Sequence, residues 1–408
     1  LVFAVSRALY YAAGVRFDSY MNEHLMHFIS PELLKTDLIR SLFCLHNQPP
    51  GFNLFMGVIF KLFPGNAVTV FYIAFLLMGL ALALSLFLLM ARLGVRERTA
   101  ALATAVFIAA PPVVMFENLL LYTYPVTVML VLAALMFEGF LRTGRDRYAI
   151  LFFTLLAAIV LTRSLFHLLW MTAAVALVIA LRRGSWKLLL LMAAFPLLMV
   201  MFVYAKNLWL VGSFSSSSWM GMSLAKMTTM RLPVDDRIGL VRRGRLSELA
   251  LVPPFKPVWF YRQYTRIPSF APTGVPVLDL EYYPDVGHNW NNLALYSISK
   301  QYGRDAITVL KTYPSVYAGS VLSSFRIFFF PAGDWLHWYA AVDNIGKVPR
   351  AEMLWNTVMY GRLLSFPGRE EIRADQMDFL DDIHHIGLFT LLIYLFGCAA
   401  GIAYIIRE

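Results

Sequence analysis

Long apolar stretches separated by short polar segments make up most of this chain. A helix needs roughly 20 apolar residues to cross about 30 Å of hydrocarbon at about 1.5 Å per residue. Residues 1–15 have the composition of the end of one span. Windows that approach the required length follow at 67–91, 99–116, 125–141, 148–163, 166–182, 187–211 and 385–406. The pattern predicts an all-α polytopic membrane protein with a bundle of about eight or more transmembrane helices.

The first long polar segment, residues 16–66, predicts helices that lie on the membrane surface. Apolar residues follow Pro31 at helical spacing, which is typical of an amphipathic helix. Pro49-Pro50 interrupts that pattern, because proline removes a backbone donor and cannot continue a helix. The stretch 52–63 then predicts a second amphipathic piece, so 16–66 is expected to form an outer loop with surface helices.

In the segment 212–384, the first part, 212–306, has little regular periodicity and many Pro, Gly and Tyr residues. The segment as a whole predicts a loop-rich region at the outer face of the membrane. Within it, 307–330 favours an interfacial helix over a span, because polar residues such as Lys311 interrupt the apolar run. The expected organisation is therefore a transmembrane module at 1–211, this outer region, and a C-terminal transmembrane helix at 385–408.

Composition and charge support a membrane location. The chain is 59% hydrophobic and 15% charged, against roughly 25% charged residues in soluble domains, which argues against a soluble enzyme. Most of the net charge of +10 lies in short loops at 92–98, 142–147 and 182–187. Such loops are typically cytoplasmic, so 16–66 and 212–306 are expected outside. This distribution indicates a multi-pass protein of the plasma (inner) membrane rather than a nucleic-acid binder.

Two acids lie at the expected outer boundary. Asp18 directly follows the first apolar run and could accept a proton from a hydroxyl nucleophile, or be an ordinary interfacial charge. Glu117 lies in a very short outer connection with Tyr122 and Tyr124. There the acid and the two hydroxyls could bind a metal ion, orient a sugar or hold an acceptor. The alternative is an aromatic belt with one solvated acid.

Cations at the same predicted level suggest a phosphate site. Arg163 and His167 are four residues apart and would share one helix face if the helix is continuous there. Lys206 lies near the outer end of the next span, beside the candidate substrate ligand Asn207. A guanidinium near lipid is costly unless it is paired, and phosphate is a natural partner. Snorkelling of terminal Lys and Arg side chains is the alternative.

Two polar clusters in 212–306 could bind carbohydrate. One is the run Ser215–Ser218 followed by Trp219, and the other is the stretch 287–292, which contains His288 and Asn289. Tryptophan stacking with Asn and His hydrogen bonds would hold a sugar, whereas a serine run is more often a solvated turn and a lone histidine is more often structural. The sequence identifies no metal-ligand set, and a divalent cation stays open as a cofactor.

These features together resemble the GT-C superfamily of integral-membrane glycosyltransferases, which includes protein O-mannosyltransferases and lipid A aminoarabinose transferases. The matching parts are Asp18 after the first span and Glu117 in a short outer loop. The string His46-Asn47-Gln48-Pro49-Pro50-Gly51-Phe52 is similar to the His-Pro-Pro or Gln-Pro-Pro element of many such enzymes, which implies that His46 and Gln48 bind substrate. The resemblance covers about residues 1–210.

The resemblance implies an inverting transfer of one sugar from a polyprenyl-phosphate donor to a glycan, lipid or protein acceptor at the outer face. Asp18 would be the base that takes the acceptor proton. Arg163 and Lys206, with His167, would hold the donor phosphate and stabilise its developing charge. A lipid-linked donor needs no nucleotide, which agrees with the absence of a phosphate-binding glycine-rich loop from the sequence.

A transporter or flippase of polar lipids or lipid-linked sugars is the alternative. Charges within apolar runs, such as Arg7 and Glu138, also mark translocation paths. Transporters usually place polar residues near the bilayer midplane and often have repeated halves. Here the polar residues concentrate on one predicted side, which favours an enzyme that works at that face.

Overall fold

The computed structural model describes residues 1–19, 26–327, 344, 346–360 and 388–407. The described elements are helices, apart from one two-stranded antiparallel hairpin. By their internal contacts the residues form two compact units. The first unit is Leu1–Met21, Phe71–Arg145 and Leu322–Glu408, and the second unit is Asn22–Val70 and Asp146–Val321.

The helices of the first half follow the predicted windows closely. In chain order they are α1 (Val2–Ala12), α2 (Pro31–Thr36), α3 (Leu38–Cys44), α4 (Gly51–Leu62), α5 (Ala67–Arg92), α6 (Glu97–Ala109), α7 (Pro111–Glu117), α8 (Thr123–Thr143), α9 (Asp146–Thr162), α10 (Leu168–Leu181) and α11 (Trp186–Val211). The surface helices expected after Pro31 and at 52–63 correspond to α2 with α3 and to α4.

The second half contains shorter elements. They are α12 (Met220–Met227), α13 (Val234–Arg242), α14 (Val258–Tyr261), α15 (Pro276–Asp279), β1 (Tyr282–Tyr283), β2 (Gly287–His288), α16 (Leu293–Thr312), α17 (Pro314–Ile327), α18 (Pro349–Tyr360) and α19 (Leu388–Arg407). Short 3-10 turns lie at Arg183–Ser185, Thr229–Arg231 and Glu248–Leu251.

Several helices are long and apolar enough to cross a membrane. Among the described residues these are α5, α8 and α11, and the bent pair of α6 and α7 raises the number to four if it forms one span. Large apolar side chains on α5 and α11 are exposed, for example Leu77 and Phe195, as expected of helices that face lipid. The described part of the chain is therefore a helical membrane protein by length and composition, and the expected count of about eight spans is not confirmed.

The window 99–116, predicted as one span, is broken. Helix α6 ends at Ala109 and α7 begins at Pro111, with an angle of 61° between them. Ala110 has φ −61° and ψ 133°, the extended conformation that a residue before proline adopts because the proline ring excludes the helical one. Pro111 then occupies the first position of α7, where its missing N–H costs nothing.

The region 212–384 is more helical than its irregular pattern predicts, since α12, α13, α16 and α17 lie in it. Where a single interfacial helix is expected near 307–330, the described residues form the end of α16 and the whole of α17. Helix α16 stops at Thr312 and α17 starts at Pro314, because proline fits the first turn of a helix but not its interior. Residues 328–343 and 361–387 lie outside the described part of the chain.

Candidate functional site

Asp18 lies in the first unit, on a backbone bridge that follows α1. Its N–H donates to the carbonyl of Asn118 at 2.8 Å, and its carbonyl accepts from the N–H of Leu120 at 2.9 Å. These bonds form a parallel bridge between Asp18 and Leu119. The backbone of the candidate base is thus fixed to the segment that directly follows Glu117, and its side chain is half-buried.

Glu117 is buried, with 1% of its surface exposed. The Arg7 guanidinium donates from Nε to Oε1 at 2.8 Å and from Nη2 to Oε2 at 2.5 Å. The Tyr124 hydroxyl donates to Oε2 at 2.6 Å. The expected pairing of this acid with a tyrosine hydroxyl is therefore present at Tyr124, whereas Tyr122 precedes the first turn of α8. Both carboxylate oxygens are engaged by protein donors.

Helix α1 also supplies hydrogen-bond donors to the backbone carbonyls at the break between α6 and α7. A helix end leaves carbonyls without intrahelical donors. Arg7 Nη1 donates to the carbonyl of Ile108 at 2.6 Å, and the Tyr10 hydroxyl donates to that of Ala109 at 2.9 Å. Arg7, a charge that the sequence associates with a translocation path, thus donates to a carbonyl at the end of α6 and neutralises Glu117.

In the second unit, the loop that contains His46 and Gln48 is held from several directions. The N–H groups of His46 and Asn47 donate to Oδ1 of Asn291 at 2.8 and 2.9 Å. Nδ1 of His46 is 2.8 Å from the Ser218 hydroxyl. Gln48 Oε1 accepts from the Ser164 hydroxyl at 3.0 Å. The loop is therefore ordered by polar contacts from distant parts of the sequence.

Burial, together with the smaller effect of the positive charge of Lys206, lowers the pKa of His46 to about 3. The imidazole is consequently neutral near pH 7. Its Nε2 atom is buried and has no hydrogen-bond partner among the described residues. A neutral ring with one unused nitrogen can exchange a hydrogen bond with a ligand hydroxyl.

Lys206 is buried near the end of α11, with 6% of its surface exposed. Its ammonium donates to the carbonyl of Leu45, directly before His46. It forms no ion pair with any residue of the described chain. Next to it, Nδ2 of Asn207 donates to the carbonyl of Ser215 at 2.7 Å, while Oδ1 of Asn207 is buried without a partner within the described residues.

The two clusters proposed for carbohydrate both follow this loop in sequence, and they contact it or each other. The Ser217 hydroxyl donates to the carbonyl of Asn47 at 2.5 Å. Nε1 of Trp219 donates to the carbonyl of Trp290 at 3.2 Å. Nδ2 of Asn289 donates to the carbonyls of Val277 and Leu280 at 2.9 and 2.7 Å.

Two of these candidate residues have different exposures. Trp219 is buried with its ring 5.3 Å from that of His27. His288 is half-buried, with its ring 5.4 Å from that of Tyr282. Of the two, His288 is the more accessible to a ligand, whereas Trp219 contributes mainly to packing.

Arg163 and His167 do not share a helix face. Helix α9 ends at Thr162 and α10 begins at Leu168, so the condition of a continuous helix is not met and both residues lie in the connecting turn. Arg163 is half-buried and His167 is exposed. Burial lowers the pKa of His27 to about 4, with a further contribution from the positive charge of Arg163.

The structure thus brings the His46 loop, Lys206, Asn207 and the serine run together in the second unit, and Asp18 with Glu117 in the first. Sequence reasoning did not identify Asn291 or Ser218 individually, although both lie in clusters it singled out. Arg7 and its partner Glu117 were each identifiable in the sequence, Arg7 as a charge inside an apolar run and Glu117 as an acid in a short outer connection, but nothing in the sequence indicated that they pair. No group of three or more His, Cys, Asp or Glu side chains among the described residues is arranged to hold a metal ion.

No protein-family model, no curated protein and no solved structure matches this chain. The functional assignment consequently depends on the residues and contacts described above.

Proposed function

We propose that the chain is an integral-membrane glycosyltransferase of the GT-C type, with a bundle of about eight spans. It transfers one sugar, with inversion, from a polyprenyl-phosphate donor to a glycan, lipid or protein acceptor at the outer face of the plasma membrane. The donor and the surrounding lipid are its membrane partners, and no nucleotide is needed.

The observation that carries the proposal is the buried ammonium of Lys206. A buried charge is costly unless an opposite charge or sufficient hydrogen bonds compensate it. Within the described chain Lys206 has a carbonyl partner but no carboxylate. It lies at the end of a long apolar helix that the basic loops assign to the outer face. An anionic ligand whose tail lies in lipid, such as a polyprenyl phosphate, supplies the missing charge.

The groups around Lys206 suit a sugar phosphate. Nε2 of His46 and Oδ1 of Asn207 are buried polar atoms without partners in the described chain, so they can bond sugar hydroxyls. Asn291 and Ser218 hold the His46 loop from two sides. Such preorganisation reduces the entropy lost when a ligand binds.

In the proposed reaction the acceptor hydroxyl gives its proton to the Asp18 carboxylate while its oxygen attacks the anomeric carbon. The bond from that carbon to the phosphate oxygen breaks, and its electron pair remains on the phosphate. Lys206 and Arg163 stabilise the charge that develops there. The lipid phosphate leaves, and the configuration at the anomeric carbon is inverted.

Donor binding tests the proposal, with a matched lysine control on the same helix. Lys206→Met should weaken binding of a polyprenyl-phosphate sugar to the purified protein in nanodiscs by about 10- to 100-fold, because a charge-assisted hydrogen bond contributes about 1.5–3 kcal/mol. Lys187 is exposed near the other end of α11, so Lys187→Met should bind the donor normally. Equal affinities of the two folded variants would rule out the phosphate assignment.

One observation favours a transporter as the second candidate. Broken helices form the substrate sites of many transporters, and α6 with α7 is a broken pair next to the buried charges Arg7 and Glu117. Those two charges neutralise each other, however, so they offer little to a passing substrate. Movement of the lipid-linked sugar across proteoliposome membranes without sugar transfer would favour this candidate over the enzyme.

A further inference from the structure

The carboxylate of Glu117 accepts three hydrogen bonds from protein side chains. Arg7 engages both of its oxygens and Tyr124 adds a third bond. A bidentate pairing of guanidinium and carboxylate fixes the orientation of both groups. Since its oxygens accept these bonds from the protein, Glu117 is better suited to fix local geometry than to bind a metal ion or an acceptor.

The chain connects Glu117 directly to the candidate base. The next residue, Asn118, accepts the N–H of Asp18 through its carbonyl, and two residues later Leu120 donates to the carbonyl of Asp18. Both backbone groups of Asp18 are therefore bonded to the segment that Glu117 anchors. Asp18 itself lies shortly after α1, the helix that supplies Arg7. The backbone bonds therefore join Asp18 to the segment after Glu117, and the ion pair joins Glu117 to Arg7 in the helix that precedes Asp18.

A fourth helix, α5, leaves room for this arrangement. Gly79 of α5 lies against the Glu117 carboxylate and the Tyr124 hydroxyl, so closely that a β-carbon at this position would overlap both groups. Helical glycine is destabilising by roughly 0.5–1 kcal/mol relative to alanine. The glycine therefore lies where a larger residue would leave no space for the Glu117 carboxylate.

We propose that Arg7, Glu117 and Tyr124 form a positioning clamp, which holds the backbone of Asp18 so that its carboxylate meets the acceptor hydroxyl. This inference rests on the proposed function, because it assigns a role to residues that act through Asp18. None of the three touches the reacting atoms. The clamp should therefore govern the rate of the chemical step and not the affinity for either substrate.

Two tyrosine variants in the first unit separate positioning from general stability. Tyr124→Phe removes the hydroxyl that bonds Glu117, and Tyr10→Phe removes one that bonds the carbonyl of Ala109. Small displacements of reacting groups can cost up to about 100-fold in rate. For Tyr124→Phe we expect kcat to fall about tenfold with unchanged KM for donor and acceptor, and for Tyr10→Phe we expect kcat near that of the wild type.

Hydrogen exchange gives a readout that does not depend on activity. The amides of Asp18 and Leu120 donate the bonds that the clamp fixes. Their exchange should be faster in Tyr124→Phe and in Glu117→Gln than in the wild type, and unchanged in Tyr10→Phe. Peptides from α11 serve as an internal control for global unfolding.

The outcomes distinguish the clamp from the proposed function. Faster exchange together with a lower kcat at constant KM supports the clamp. A kcat in Tyr124→Phe equal to that in Tyr10→Phe, while Asp18→Asn is inactive, overturns the clamp and leaves the glycosyltransferase proposal in place. A wild-type protein that binds but never transfers the sugar overturns both.

Discussion

The His46 ring shows how burial can fix the charge state of a single residue. It is buried, neutral and bonded through Nδ1 to Ser218. Protonation would place a second positive charge near Lys206 in a region from which water is excluded. The same burial that leaves Nε2 without a partner among the described residues therefore makes the charged form of the ring unfavourable.

Stability should fall as the pH is lowered. The pKa of His46 is about 3 in the folded protein, against about 6.5 in an unfolded chain. Between these values the unfolded state binds a proton that the folded state does not, so the free energy of unfolding decreases as pH falls from about 6.5 towards 3, by at most about 1.4 kcal/mol per pH unit. Above pH 6.5 this contribution is constant.

Denaturation of the purified protein at several pH values checks this prediction, with His46→Gln as the comparison. His27, whose pKa is also lowered, contributes a similar dependence in both proteins. The difference between the two curves therefore reports His46 alone. A wild-type curve that runs parallel to that of His46→Gln from pH 7 to pH 4 would contradict the buried neutral ring.

At the scale of elements, ion pairs connect helices whose contacts cannot be predicted from the apolar pattern of the sequence. Arg7 joins α1 to the end of α7. Glu138 of α8, which is buried, pairs with Arg92 at the end of α5 and with Arg142 one turn later. Charges within or beside the apolar helices of the first unit are thus paired with opposite charges, because an unpaired buried charge would be strongly destabilising.

Gly79 provides a prediction for helix packing. Gly79→Ala should lower the thermal unfolding temperature of the protein, because its β-carbon would displace the Glu117 carboxylate from Arg7 and Tyr124. Gly319 of α17 has open space around its position, so Gly319→Ala should be neutral or stabilise by roughly 0.5–1 kcal/mol. Thermal unfolding of both variants in nanodiscs tests the difference. Equal effects would mean that Gly79 does not accommodate the carboxylate.

The sequence predicts where most helices lie, because lipid-facing helices need long apolar windows. Helices α5, α8 and α11 begin and end within two residues of windows 67–91, 125–141 and 187–211. The break before Pro111 divides the window 99–116, since a proline pair changes the direction of the chain while leaving the apolar pattern continuous.

Pairings between distant residues could not be predicted. Periodicity places Arg7 and Glu117 in their helices but carries no information about which helices are neighbours. The separate windows 148–163 and 166–182 do predict the break between α9 and α10, although the spacing of Arg163 and His167 alone would also fit a continuous helix. The contact of Lys206 with the loop before His46 likewise depends on tertiary packing, although both residues were identified as candidates.

At the scale of the whole molecule, a membrane chain with polar clusters on one predicted side favours an enzyme that works at a single face. The basic loops at 92–98, 142–147 and 182–187 indicate which end of each helix is cytoplasmic. The proposed topology expects the segments with Asp18, Lys206 and His46 on the opposite, outer side. A donor held in the membrane by its lipid tail would present its phosphate at this level.

The most direct test of the account is sugar transfer by Asp18→Asn. The substitution keeps the shape of the side chain but removes its ability to take a proton. We expect transfer from a polyprenyl-phosphate sugar by the purified protein to fall by roughly 10²- to 10⁴-fold with donor binding retained, and Asp37→Asn in the same outer loop to transfer normally. Near-normal turnover by folded Asp18→Asn would contradict the proposed mechanism.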